Sequence, residues 1–168
     1  MRTLLVGLVL ASGCGLVSHR PPSDYFLTSS VPPALRAPIQ AGLARAFADL
    51  RLGEAPRGDV LVVNYGACTD PDFAGQIEPG PPNATTLCAG TWGSEAPTPL
   101  ARAQRILALF HAVGHALDAD HGGSADVMAP TPADELVQAL LRDEDRFHYT
   151  DADMRNICAH ANIPSCSK

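Results

Sequence analysis

The chain contains the stretch His111-Ala-Val-Gly-His115-Ala-Leu-Asp-Ala-Asp-His121, in which three of its six histidines fall within eleven residues. His111 and His115 are four positions apart, so on a helix both imidazoles lie on one face and could bind the same ion. His121 comes six positions later, and six helical steps of about 100° turn it well away from that face. It joins the other two only if the helix ends and the chain doubles back near Asp118, a residue type that tolerates the left-handed conformation of such a stop. The spacing therefore predicts a metal site at the end of a helix.

A second stretch, Ser124-Ala-Asp-Val-Met128-Ala-Pro130, follows the first, and the two together resemble the metzincin zinc peptidases. That family carries the pattern H-E-x-x-H-x-x-G-x-x-H followed by a Met-turn, and its matrixin-like branch is the most similar. The resemblance implies that Zn²⁺ is the cofactor, that its ligands are His111, His115 and His121, and that Met128 lies beneath the metal. It also implies an α+β fold, with a twisted mixed sheet and about three helices, one of them the active-site helix.

Two positions depart from the family pattern. Asp118 stands where the family has glycine, which is a tolerable exchange because aspartate can adopt the left-handed conformation. Ala112 stands where the family has the glutamate that acts as general base. Three neutral imidazoles with an open fourth position make a catalytic type of zinc site. Peptide hydrolysis is nevertheless expected to be weak or lost, because general acid–base assistance contributes about 10²–10⁴-fold.

Carboxylates elsewhere in the sequence could assist at the site. One in the turn could accept the free N–H of a ligand histidine, the candidates being Asp118, Asp120 and Asp126. A solvated loop position is the alternative for each. The same three carboxylates are near enough in sequence to be considered as a substitute base, whereas Glu135, Glu144 and Asp145 could approach only if the segment after the Met-turn folds over the cleft.

Three further side chains near the end of the sequence are considered for a role at the site. Tyr149 could reach the metal or an oxyanion, as tyrosines do in some relatives, or it could lie in the core or at the surface. His148 and His160 are expected to be surface or packing histidines.

The N-terminus has the features of a lipoprotein signal. Residues 1–13 combine the positive Arg2, an almost entirely apolar run at 4–10 and the small residues Ala11-Ser12-Gly13. Cys14 follows directly, and this arrangement resembles a bacterial lipobox, in which the cysteine is lipidated. We expect residues 14–23 to be a tether and residues 24–168 to form one metzincin-like domain. The lipid would anchor it at the outer membrane or the periplasmic face of the cell envelope; the alternative is an ordinary secretory signal and a secreted protein.

Four further cysteines indicate two disulfides in an exported chain, namely Cys68, Cys88, Cys158 and Cys166. Three pairings are possible, and we favour the local one, Cys68 with Cys88 and Cys158 with Cys166. Metal ligation by cysteine is the alternative, but the sequence contains no C-x-x-C spacing.

Residue patterns predict the other elements. β-Forming residues predict a strand at 24–28, and apolar residues at helical spacing predict a helix at 34–52. A nearly continuous apolar run at 59–64 is typical of a strand buried on both faces. A strand is expected at 84–92, the central helix at 99–117, and a shorter helix at 133–141. The last helix, about 151–161, begins at Thr150 with Asp153 in the capping-box position.

In metzincins the strand before the active-site helix lines the substrate cleft and offers its edge to an extended peptide. The resemblance gives this role to residues 87–92. The alternative is an ordinary sheet strand with Trp92 in the core.

The net charge of −6, without a basic stripe, argues against nucleic-acid binding. We expect a monomer whose partner is a peptide or protein in the cleft. The function we expect is that of an exported zinc-binding metallopeptidase-like protein whose peptide hydrolysis is weak or lost. Three alternatives remain: a non-catalytic pseudopeptidase that binds extended peptides or metal, an active peptidase with an unusual base, and a structural lipoprotein with a vestigial site.

Overall fold

The computed structural model describes residues 24–52, 60–69, 74–78, 83–94, 96–123, 126–129, 134–161, 163 and 166. The expected signal peptide, Cys14 and the tether lie outside the described residues, as do Ser124, Ala125 and Pro130 of the second motif. The described part is a mixed α+β protein, as expected from the sequence.

Four strands form one mixed sheet in the order β1-β2-β4-β3. Their bounds are β1 (Asp24–Leu27), β2 (Val60–Gly66), β3 (Gly75–Glu78) and β4 (Ala84–Cys88). β1, β2 and β4 run parallel, and β3 is antiparallel to β4. β3 was not predicted, because its four residues Gly-Gln-Ile-Glu carry too few apolar side chains to signal a strand.

The described residues contain five α-helices rather than about three. They are α1 (Pro33–Asp49), α2 (Ala89–Trp92), α3 (Pro99–Ala116), α4 (Asp134–Arg142) and α5 (Asp151–His160), with a 3₁₀ turn at Glu144–Arg146. The three longest correspond to the three helices that the resemblance implies, and α4 corresponds to the shorter helix expected at 133–141. α2 is a single turn that the sequence did not predict.

Three expectations about strands are wrong. β4 ends at Cys88 and not at Trp92, whose buried indole N–H donates to the carbonyl of Ala74 at 2.7 Å. Because β4 pairs with β2 on one side and with β3 on the other, it has no edge to offer a peptide. β2 is not buried on both faces, since Leu61 and Val63 are buried while Val60 is exposed and Val62 is half-buried.

The core lies between the sheet and the helices α1 and α3. One stripe of α1 faces it, as predicted, with Leu35, Ile39, Leu43 and Phe47 buried. α3 contributes Leu107, Leu109, Phe110 and Val113 to the same core. Burial of these apolar side chains is the main force that fixes α3 in place and thereby positions its last two turns.

Both disulfides have the expected local pairing, which is confirmed. Cys68 is joined to Cys88, and Cys158 is joined to Cys166. The first links the segment after β2 to the end of β4, and the second joins the last turn of α5 to the chain that follows it. No helix among the described residues is both long enough and apolar enough to cross a membrane.

Candidate metal centre

Helix α3 carries the first two histidines of the motif. It begins at Thr98, whose hydroxyl oxygen accepts a hydrogen bond from the Ala101 N–H at 3.2 Å, and Pro99 occupies the first helical position. His111 and His115 lie one turn apart near its C-terminal end. Their rings meet edge to face, with centroids 4.5 Å apart.

The chain reverses at Asp118, as the spacing of the histidines predicted. Asp118 adopts a left-handed conformation with φ of 61°. Its N–H donates to the carbonyl of His115 at 2.9 Å, and the Ala119 N–H donates to that of Gly114 at 3.2 Å. These two bonds make a Schellman motif, which ends the helix and turns the chain sharply.

The reversal brings His121 back beside the first two histidines. Its ring centroid lies 5.5 Å from that of His111 and 4.8 Å from that of His115. One ligand atom from each of the three side chains lies within 4.8 Å of the others. His111 and His115 are half-buried and His121 is exposed, so the cluster opens to solvent on one side.

Two backbone carbonyls orient the helical histidines. The Nδ1 of His111 lies 2.9 Å from the carbonyl oxygen of Val127, and the Nδ1 of His115 lies 2.9 Å from that of Ala119. A carbonyl can only accept, so each Nδ1 carries the proton and each Nε2 keeps a lone pair for a metal. Ligand histidines in proteins are commonly held by such a bond from the second ring nitrogen.

Burial keeps the two helical imidazoles neutral. It is the main reason that the pKa of His115 falls to about 4, with the neighbouring His111 adding to the effect. Burial also lowers the pKa of His111, and the hydrogen bond from its ring to Val127 and the charge of Asp153 oppose that change. A neutral imidazole is the form that binds a metal, so both side chains are ready to coordinate at neutral pH.

The three-histidine cluster can hold a metal ion. Tetrahedral coordination with metal–nitrogen distances of about 2.1 Å separates ligand nitrogens by about 3.4 Å, so an inward movement of the order of 1 Å completes the site. Imidazole nitrogens suit zinc and its transition-metal neighbours, whereas Ca²⁺ and Mg²⁺ prefer oxygen ligands. No carboxylate belongs to the cluster among the residues that the structure describes.

Met128 packs against helix α3. It is fully buried, and its sulfur rests against Gly114, the residue immediately before His115. A Cβ at position 114 would overlap the Met128 side chain, so only glycine allows this approach. The Gly122 N–H donates to the Met128 carbonyl at 2.9 Å and closes the loop that follows His121.

The structure places the other candidates away from the roles considered for them. Tyr149 is buried, and its hydroxyl donates to the carbonyl of Phe110 at 2.6 Å; burial raises its pKa well above the usual value. Asp126 accepts from the Gly123 N–H at 2.8 Å, whereas backbone carbonyls take the ring N–H groups of the two helical histidines. Glu144 pairs with Arg102 at 2.8 Å, at the opposite end of α3.

The remaining acidic and histidine candidates lie at the surface. Asp118, Asp120, Glu135 and Asp145 are exposed. His148 and His160 are exposed as well, and each lies near a carboxylate, at 2.7 Å from Asp49 and 3.7 Å from Asp120 respectively. Ala112 is buried in α3, next to the ligand His111, and supplies no proton acceptor.

Sequence reasoning assigned Asp153 only to the N-terminal cap of α5. That capping box is present, with the Thr150 hydroxyl accepting from the Asp153 N–H at 3.0 Å. The Asp153 carboxylate also accepts the N–H groups of Val127 and Met128, both at 3.0 Å. No signal in the sequence indicates this second role. It depends on the nearly complete burial of the carboxylate, which the sequence does not show.

Comparisons with models of known protein families, with curated proteins and with solved structures return no match for this chain.

Proposed function

We propose that this chain is an exported zinc-binding protein of the metzincin type, matrixin-like, in which peptide-bond hydrolysis is weak or lost. The observation that carries the proposal is the convergence of His111, His115 and His121 at the reversal after α3, above the buried Met128. The spacing of the first two histidines, the end of the helix and the loop that carries the third histidine together bring the three side chains to one place. Residues of the motif that resembles the family form each of these features.

Zinc is the metal we propose for the site. The donors are three imidazole nitrogens, which favours a metal of intermediate softness over hard cations. When bound in a site with an open fourth position, Zn²⁺ supplies Lewis-acid activation of a substrate carbonyl. The exposed side of the cluster, at His121, is where a ligand could approach.

The weak step is proton transfer. Ala112 cannot accept a proton from the attacking water or return one to the leaving amine. The carboxylates that we considered as substitutes are paired elsewhere or exposed on other surfaces. We therefore expect turnover lower by about 10²–10⁴-fold than in a protein with the base in place.

A non-catalytic role as a peptide-binding pseudopeptidase is the second candidate. β3 is the last strand on its side of the described sheet, and it contacts α3. Its outer edge could pair with an extended peptide by strand addition. Retention of the complete ligand set without the base favours this candidate over an active peptidase with an unusual base.

Export is part of the proposal. Two disulfides agree with an oxidising compartment outside the cytoplasm. We propose lipidation at Cys14 and attachment to the bacterial cell envelope, on the strength of the N-terminal sequence alone.

The decisive experiment compares the protein from Gly15 onward with its Ala112→Glu and Ala112→Gln variants. Glutamate and glutamine have nearly the same shape, so only the first adds a base. We expect one zinc per chain in all three by elemental analysis, and chelator-sensitive peptide hydrolysis that rises by at least about 100-fold in Ala112→Glu only. Circular dichroism and the melting temperature verify that both variants fold, since position 112 is buried.

Three outcomes contradict the proposal. Absence of zinc from the unaltered protein would remove the metal site and the metzincin assignment with it. Equal activity in the glutamate and glutamine variants would show that position 112 does not carry the base. Strong activity in the unaltered protein would favour a peptidase with a different base.

A further inference from the structure

Asp153 lies in helix α5, 25 residues beyond Met128, yet its carboxylate reaches the loop beneath the metal centre. The side chain is almost completely buried, with 1% of its surface exposed. A buried carboxylate is costly unless hydrogen bonds satisfy its oxygens. Four donors do so here: the N–H groups of Val127, Met128 and Thr150 and the Thr150 hydroxyl, at 2.7–3.0 Å.

One of these bonds leads directly to a metal ligand. The Met128 N–H and the Val127 carbonyl belong to the same peptide group. The N–H donates to Asp153 Oδ1 at 3.0 Å, and the carbonyl accepts from the ring Nδ1 of His111 at 2.9 Å. A carboxylate bound at the N–H end of a peptide group polarises it, which makes its carbonyl oxygen a stronger acceptor.

His115 has no such connection. Its Nδ1 donates to the carbonyl of Ala119, which shares its peptide group with the N–H of Asp120. Among the described residues, that N–H makes no hydrogen bond to a buried carboxylate. The two helical histidines therefore differ in what lies behind the carbonyl that each one binds: a buried carboxylate, Asp153, for His111 and no buried carboxylate for His115. This difference makes His115 an internal control for any effect of Asp153.

We propose that Asp153 is a positioning residue of the metal centre, acting on His111 through the Val127–Met128 peptide group. Its charge fixes the proton of His111 on Nδ1 and directs the Nε2 lone pair toward the metal. The inference rests on the proposed zinc site, but the state of His111 can be measured without metal.

The test compares Asp153→Asn with Thr150→Val. Asparagine keeps the shape of the side chain but removes the charge and one acceptor, so the Met128 or Val127 N–H loses its partner. Thr150→Val removes the side-chain cap of α5 and one of the four donors to Asp153, but it leaves the bonds from the Val127 and Met128 N–H groups in place. Both variants weaken the start of α5, but only Asp153→Asn changes the group that binds the Met128 N–H. An effect seen in Asp153→Asn alone therefore belongs to the positioning role and not to the helix cap.

Zinc affinity, measured by competition with a chromophoric chelator, is the first readout. Loss of a partner behind a ligand histidine typically weakens metal binding about 10–100-fold, and we expect this for Asp153→Asn. Thr150→Val should bind zinc within about 3-fold of the unaltered protein. Equal affinities in the two variants would overturn the proposal.

Side-chain nitrogen NMR of the metal-free protein is the second readout. We expect Asp153→Asn to shift the ring signals of His111 and to leave those of His115 unchanged, while Thr150→Val shifts neither. Equal changes at both histidines would indicate general loosening of the structure and would contradict the proposed role.

A third measurement requires no substitution, so the proposal stays testable if Asp153→Asn does not fold. In the unaltered metal-free protein, His111 must carry its proton on Nδ1. The Met128 amide proton must resonate downfield and exchange slowly, since its bond to a buried carboxylate is charge-assisted. An Nε2–H tautomer at His111 or rapid exchange at Met128 would overturn the proposal. Failure of the unaltered protein to bind zinc would instead reject the proposed function, and would leave these spectra interpretable.

Discussion

At the scale of single residues, Gly114 leaves no room for a side chain, because the buried Met128 packs against it. We predict that Gly114→Ala lowers stability, because the added methyl group overlaps the buried Met128 side chain. Overpacking of this kind costs about 1–3 kcal/mol, against a gain of about 1 kcal/mol from the better helix propensity of alanine. The net effect should be a loss of about 1 kcal/mol, seen as a melting temperature several degrees lower.

The matched control is the same substitution in a Met128→Ala background. There the overlapping side chain is gone, so Gly114→Ala should become neutral or stabilising by up to about 1 kcal/mol. A double-mutant cycle measures the difference directly. If Gly114→Ala has the same effect in both backgrounds, the packing of Met128 against Gly114 is not the constraint.

The three candidate ligands could be recognised from the sequence because their geometry is local. Four positions on a helix and one reversal at Asp118 are enough to bring His111, His115 and His121 together. Asp153 shows the opposite case. Its bonds to Val127 and Met128 connect residues 25 and 26 positions apart, and no periodicity in the chain indicates that α5 packs beneath this loop.

At the scale of elements, the end of α3 decides whether His121 meets the other two histidines. We predict the stability order Asp118→Gly, unaltered, Asp118→Ala, from most to least stable. Residues other than glycine lose about 1–2 kcal/mol in the left-handed conformation, and aspartate loses less than alanine. Because Asp118 is exposed, changes in packing should contribute little.

Chemical unfolding of the metal-free variants tests this order. Asp120→Gly is the control, since Asp120 is also exposed but is not among the residues with positive φ. We expect it to be neutral or destabilising. A stabilising effect of glycine at both positions, or a more stable Asp118→Ala, would contradict the left-handed helix stop.

The strands were predicted less well than the helices, for a physical reason. Helices α1, α3 and α5 could be predicted from the spacing of their apolar residues and from cap residues such as Thr150. Strand order and edge position depend on partners that are distant in the chain. β3 was therefore not predicted, since only one of its four residues is large and apolar. β4 was expected to offer a free edge to a peptide, but β3 pairs with that edge.

At the scale of the whole molecule, the two half-buried imidazoles make stability depend on pH. The pKa of His115 is lowered to about 4 in the folded protein, mainly by burial, and that of His111 is lowered for the same reason. In the unfolded chain a histidine titrates near about 6.5. Between these values the unfolded state binds more protons, so stability of the metal-free protein falls as pH drops from about 6.5 to 4.

Urea unfolding with a chelator present, from pH 7.5 to 4, measures this slope. Each fully shifted histidine contributes at most about 1.4 kcal/mol per pH unit. Solvent screening of half-buried rings brings the observed value below that bound. His115→Asn should flatten the profile, whereas His160→Asn, at an exposed site, should not. An unchanged slope in His115→Asn would reject the assignment.

The close spacing of the three histidines along the chain also affects how a metal acts on folding. A ligand stabilises a protein only to the extent that it prefers the folded state over the unfolded one. Here the ligands span eleven consecutive positions, so the unfolded chain still presents them as a short chelating peptide. At free zinc 100-fold above its dissociation constant, a site found only in the folded state would add about 2.7 kcal/mol, and this protein should gain less. Zinc would then organise the end of α3 locally, while the apolar core and the two disulfides hold the fold together.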